Sequence, residues 1–175
     1  MTTTRIAALI TGLACLALGA VTLAGPPVRD QNWGTRGAIV NGLGLVAFAA
    51  MALALELLRA PLRLARLGGA GTRAAQAGLV LMCLESIASQ VHGGNTLGAV
   101  FMTGLLAALV GLALICADGL RRRRWLAPLL LLALLIGIGA GDHGGFLLLG
   151  AVWLTLATTS DGQTSSAISS VNAAR

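Results

Sequence analysis

Six apolar runs separated by short polar gaps fill nearly the whole of this chain. A bilayer core is about 30 Å thick, and about 20 apolar residues of helix cross it. The runs are Ile6–Ala24, Gly37–Leu58, Ala75–Val91, Leu97–Ala117, Trp125–Gly141 and Gly144–Thr159. They are roughly 16 to 22 residues long, at or near spanning length. The last two are the shortest and call for a thinned bilayer or for flanking residues that reach outward. A soluble globule fails on charge: 57% of the 175 residues are hydrophobic and only 10% are charged, too few to coat a sphere. A transmembrane β-barrel fails on pattern, because its strands alternate polar and apolar while Leu129–Leu135 is apolar throughout. The expected fold class is all-α, a polytopic transmembrane helix bundle of six spans forming one domain over residues 1–159. The remaining residues, 160–175, are rich in Ser, Ala and Asn and read as a disordered tail.

The arginines orient the bundle. Cytoplasmic loops hold an excess of Lys and Arg. The gap after the second run carries Arg59, Arg63, Arg66 and Arg73, and the gap after the fourth carries Arg121, Arg122, Arg123 and Arg124 with Asp118. The third gap has only His92, the fifth has Asp142 and His143, and the first sets Arg29 and Arg36 against Asp30. Basic residues thus concentrate in the even gaps, which fits six spans with both termini cytoplasmic. The net charge is +6 and every basic residue is Arg. The lack of Lys points to a GC-rich genome, and the expected location is a bacterial cytoplasmic membrane. The basic excess lies at membrane edges, so membrane lipid, and not nucleic acid, is its expected partner; Arg121–Arg124 form the expected headgroup contact. A cleaved signal peptide is the alternative for the first run, which follows Arg5 and ends in small residues. Its apolar stretch exceeds a usual signal core, and Pro26–Pro27 follows the potential cut, so the run reads as a retained span.

Glycine supplies the packing signal. Twenty-four glycines are present, and Gly12 with Gly19, Gly37 with Gly44, Gly104 with Gly111, and Gly137 with Gly141 fall at helix-face spacing. In lipid, small residues let backbones approach closely. The competing reading is that Gly137, Gly139 and Gly141 loosen the outer end of span five to admit a ligand. Cys15, Cys83 and Cys116 show no metal or CxxC spacing and read as small apolar fillers. Thr11–Gly12–Leu13 and Thr103–Gly104–Leu105 match, but three shared residues do not make a repeat.

The polar residues inside the runs carry the functional question. Glu85 lies about ten residues into span three, near the bilayer midplane. A carboxylate there costs several kcal/mol unless it is neutral, paired or hydrated. Glu85, Ser89 and His92 follow i, i+4, i+7 and form one stripe that rises to the outer surface, with Gln90 beside it. The stripe meets His92–Gly93–Gly94–Asn95, and the next outer gap repeats the theme as Asp142–His143–Gly144–Gly145. One reading is an outward-facing polar pocket, with His92, His143 and Asp142 at the mouth, Asn41 in its lining and Glu85 as a buried proton or cation site. The other is interhelical glue, with Glu85 hydrogen-bonding Asn41 or Ser89 and the histidines wet in loops. Glu56 and Arg59 at i, i+3 read as a local ion pair.

Absences narrow the chemistry. Two histidines and one Asp make too thin a set for a metal, and neither HxxxH nor HExxH occurs. No phosphate-binding glycine loop, no GxSxG and no acidic pair for magnesium is present. There is no Tyr, and with three Phe and three Trp a site for carbocations or flat ligands is poorly served. Two histidines on one surface do not ligate heme, so no cofactor is expected.

Pro27–Val28–Arg29–Asp30, followed by Asn41–Gly42–Leu43–Gly44 at the head of span two, with His92 opening a span and Trp153 in the last, resembles the six-span bacterial membrane family called domain of unknown function 998. The resemblance covers most of the chain, although Gly145–Phe146 stands where the family would carry Gln–Arg. It implies a six-helix fold and no established activity. Three function classes remain in view. The first is a transport- or ligand-associated protein with a polar pocket around Glu85 and a hydrophobic small-molecule ligand. The second is an intramembrane enzyme on a lipid or isoprenoid, with Glu85 or Asp142 as proton donor. The third is a non-catalytic subunit that meets a membrane-protein partner or further copies of itself.

Overall fold

The computed structural model describes residues 3–27, 33–59, 65–94, 96–121 and 126–159. They form six α-helices: α1 (Thr3–Leu23), α2 (Gly34–Arg59), α3 (Arg66–His92), α4 (Gly98–Arg121), α5 (Leu126–Gly139) and α6 (Phe146–Thr159). A single turn of 3-10 helix, Gly141–His143, joins α5 to α6. No strand occurs among the described residues. Helices satisfy every backbone group within one segment, which hydrocarbon surroundings demand. Side chains follow the same rule: Thr11, Thr72, Thr103 and Thr155 each donate to the carbonyl four residues back.

Four helices, α1 to α4, are long and apolar enough to cross a membrane; α5 and α6 are apolar but shorter, at 14 residues each. Helix bounds differ from the apolar runs most at α3, which begins at Arg66 and not near Ala75. Hydropathy reports preference for lipid, and the segment before Ala75 is helical for another reason. Gly68, Gly69, Gly71 and Thr72 are buried there, and Gly71 packs directly on the α4 backbone at Gly111. Span five likewise stops at Gly139, short of Gly141.

The helices stand side by side in a ring. Each packs on its neighbour in sequence and α6 closes back onto α1; α3–α4 and α1–α6 are the most extensive pairs. Both of these are glycine seams. A Cβ on Gly78 would lie 2.3 Å from the Gly104 carbonyl oxygen, and one on Gly111 would lie 2.3 Å from the Ala75 nitrogen. The pairing Gly78–Gly104 and Gly71–Gly111 runs in reverse order, so α3 and α4 are antiparallel. In the second seam Gly12 meets Leu154 and the Gly150 carbonyl, and Gly19 meets the Leu147 backbone. The stripes on spans one and four are thus interfaces, whereas Gly42 and Gly139 face open space and Gly44 touches only the Phe48 ring of its own helix. Leu79, Met82, Ile115, Leu149 and Trp153 fill the interior. Leu13, Leu53, Leu106, Val110 and Leu132 are exposed and form an apolar outer belt.

Helix ends are set by glycine and by one carboxylate. Gly93, at φ 71°, ends α3 and donates its N–H to the Ser89 carbonyl, a conformation without penalty only for glycine. At the other end Ala65 offers no side-chain cap; its N–H donates instead to Oδ2 of Asp118 on α4, at 2.8 Å. Asp118 is 4% exposed. It belongs to α4 and to the α3 start at once, so it is a structural cap and not a charge of the following gap.

Candidate functional site

The helix ends at one side of the ring frame an open-mouthed cavity of about 210 Å³. Leu18 and Thr22 of α1, Val40, Gly44 and Phe48 of α2, and Phe146 of α6 give it walls that are mostly apolar. Arg36, Asn41, Ser86 and Asp142 add polar groups, and Pro26, Pro27 and Gly141 complete the rim. The turn after α5 is what brings Asp142 here. Gly145 sits so close over the last carbonyls of α5 that a Cβ would lie 2.6 Å from the Ile136 oxygen. Gly144 adopts φ 77° beside Leu23 of α1, which folds the turn against the end of that helix.

Asn41 links two of the walls. Its Nδ2 donates to the Ser86 carbonyl at 2.6 Å and to Oε1 of Gln90 at 3.0 Å. Further along the same interface Gln76 donates to the Ala52 carbonyl, and the Cys83 thiol points to the Leu45 carbonyl. These bonds fix the register of α2 against α3, and they run antiparallel. Replacing Asn41 with Leu keeps the branched shape, adds a little bulk and removes both bonds. It should cost about 0.6–1.7 kcal/mol of stability per bond in unfolding from mixed micelles. An unchanged unfolding curve would show that the link carries nothing.

Arg36 is the member of the cavity that sequence reasoning counted only as a loop charge. Its Nη2 donates to the Val21 carbonyl at 2.7 Å and the Thr22 carbonyl at 3.3 Å, and its Nε to the Pro26 carbonyl at 3.2 Å. A cation thus stands at the C-terminal end of α1, where unsatisfied carbonyls carry partial negative charge. Gly25 makes room, since a Cβ there would lie 2.5 Å from Nη1. The signal was present in the sequence as glycine just past a helix end and an arginine opening the next helix.

The structure divides the remaining candidates. Glu85 is 6% exposed and accepts a short hydrogen bond from the Ser89 hydroxyl, within α3. Neither lines the cavity. Asn41 does not bond Glu85, which corrects one form of the glue reading and also moves the pocket off its expected centre. The reason is angular: Glu85 lies seven residues from Gly78 and shares the face that α3 presents to α4, while Ser86 is turned 100° away toward α2. Among the described residues Gln90 reaches the site through Asn41. His92 is exposed, with Nδ1 bonded to the Ala88 carbonyl, and His143 is exposed in the 3-10 turn; neither lines the cavity. Among the described residues no three His, Cys, Asp or Glu side chains gather. Arg121 is exposed at the end of α4, whereas Arg122, Arg123 and Arg124, like the side chain of Arg59 and its expected pairing with Glu56, lie outside the described residues. The chain matches no family model, and no curated protein or solved structure is significantly similar to it.

Proposed function

We propose that all six helices cross a bacterial cytoplasmic membrane with both termini inside, and that the cavity at the outer end binds a small ligand. The protein is then a transport- or ligand-associated membrane protein. The observation that carries this is the cavity itself, with apolar walls and a few convergent polar groups at one end of a helix ring. Orientation rests on charge. Arg66 and Arg121 mark the opposite end of α3 and α4, while Asp142, His92 and His143 mark the cavity end. A helix of 14 residues is about 21 Å long, shorter than the hydrocarbon core. For α5 and α6 to span, the turn at Gly141–Gly145 enters the membrane edge. Such backbone is tolerated where it lines a cavity or is covered by protein, and this turn does the first through Gly141 and Asp142. The exposed belt of Leu and Val side chains is then covered by lipid, and the arginines meet headgroups.

Gly44 gives a test that does not depend on ligand identity. It lines the cavity, and a Cβ there meets nothing closer than the Phe48 ring at 3.7 Å. Gly44→Leu should therefore fill the cavity while the bundle stays folded. Native mass spectrometry of protein purified in mild detergent should find a retained small molecule in the wild type and lose it in Gly44→Leu. Retention of the same molecule by both proteins would sink the pocket reading.

A further inference from the structure

We propose that the cavity takes a zwitterion: an ammonium and an oxyanion on a short spacer, with an apolar remainder. This rests on the pocket reading above and specifies its ligand. Four polar groups face one small space with hydrogen-bonding capacity left over. Arg36 uses Nε and Nη2 on the end of α1, and its Nη1 makes no hydrogen bond among the described residues. The Ser86 hydroxyl belongs to a residue only 2% exposed and likewise has no partner among them. Asn41 spends its amide nitrogen on α3, and its carbonyl oxygen has no partner among the described residues. Asp142 is exposed and forms neither a hydrogen bond nor an ion pair among the described residues.

A guanidinium and a carboxylate therefore line the same cavity without pairing with each other. An anion alone would meet Asp142 as a like charge, and a cation alone would meet Arg36. A ligand bearing both charges satisfies both, with its ammonium on Asp142 and the Asn41 carbonyl, and its oxyanion on Arg36 and the Ser86 hydroxyl. Leu18, Val40, Phe48 and Phe146 receive the apolar part. A volume of about 210 Å³ is below that of a drug-sized site and suits one amino-acid-sized molecule or one lipid headgroup. Both sources share the same chemistry, a neutral amino acid in free form or the phosphoethanolamine end of a phospholipid.

The test uses the full chain in detergent for titration calorimetry and in nanodiscs for native mass spectrometry. Calorimetry probes are a panel of neutral amino acids led by L-leucine, with 4-methylpentanoate and 3-methylbutylamine as single-charge analogues. Nanodiscs compare phosphatidylethanolamine with phosphatidylglycerol. The expected result is that an amino acid, or phosphatidylethanolamine alone, binds at least about tenfold more tightly than its single-charge counterparts. The first outcome names a free zwitterion and the second a lipid headgroup. Asp142→Asn should weaken that binding about tenfold or more while the affinity for 4-methylpentanoate rises, because its carboxylate no longer meets a like charge. Asp142 is exposed and bonds no other described residue, so this variant keeps the fold, and Ser86→Ala supplies a second, smaller loss on the oxyanion side. Equal binding of a single-charge analogue or of phosphatidylglycerol overturns the proposal, as does the failure of every zwitterion to bind. A ligand lost in Gly44→Leu yet indifferent to Asp142→Asn leaves the pocket standing and removes only the zwitterion. A ligand kept by Gly44→Leu removes both.

Discussion

Gly78→Ala should destabilise the bundle by about 1–3 kcal/mol, and Gly111→Ala by as much, because each forces an added carbon into the backbone of the facing helix. The new Cβ of residue 78 would lie 2.3 Å from the Gly104 oxygen and 2.5 Å from the Ala108 nitrogen. That of residue 111 would lie 2.3 Å from the Ala75 nitrogen and 2.5 Å from the Gly71 oxygen. No rotamer change relieves a clash with main chain, so α3 and α4 must separate along the whole seam and lose dispersion contacts. Gly12→Ala should cost less, since the nearest atoms belong to the Leu154 side chain at 2.8 Å and the nearest backbone atom, the Gly150 oxygen, stands off at 3.1 Å. Gly42→Ala meets nothing within 4 Å and should be neutral or stabilising by up to about 1 kcal/mol through helix propensity. Unfolding in mixed micelles, measured by circular dichroism, ranks the four variants. If Gly78→Ala and Gly42→Ala unfold together, the seam is not a close approach of backbones.

Asp118→Ala should cost about 1–3 kcal/mol, a large effect for a residue outside the cavity. It removes the acceptor for the Ala65 N–H and the negative charge at the positive end of α3. Asp118→Asn restores an acceptor without the charge and should recover most of the loss. Amide exchange across residues 66–72 should quicken in Asp118→Ala, while exchange near Ser86 stays slow. Uniform acceleration along α3 would show that Asp118 supports the bundle at large and not the helix start.

The helical class and the apolar segments with their short gaps were legible because hydropathy and helical period are read one segment at a time. Glycine spacing on spans one and four was legible too, since residues seven apart share a helix face. It did not say which helix each face meets. Gly71, Gly78 and Gly150, the partners of those stripes, gained their meaning only from the seams. The same limit explains Glu85. Its position along α3 followed from the rise per residue, and its direction did not, because azimuth matters only against named neighbours. Ser86, one residue on, lines the cavity.

The sequence by itself determined that this chain makes apolar helices, where polar groups interrupt them and which gaps carry positive charge. These are local properties, read from runs and from a fixed helical period. The tertiary structure alone decided that the helices close into a ring, that Asp118 caps α3 from another helix, and that Arg36, Asn41, Ser86 and Asp142 meet around one cavity. Those residues are spread along the chain from 36 to 142, and in lipid no hydrophobic drive selects their partners. Close backbone approach at glycine and side-chain bonds to carbonyls select them, and both depend on three-dimensional fit.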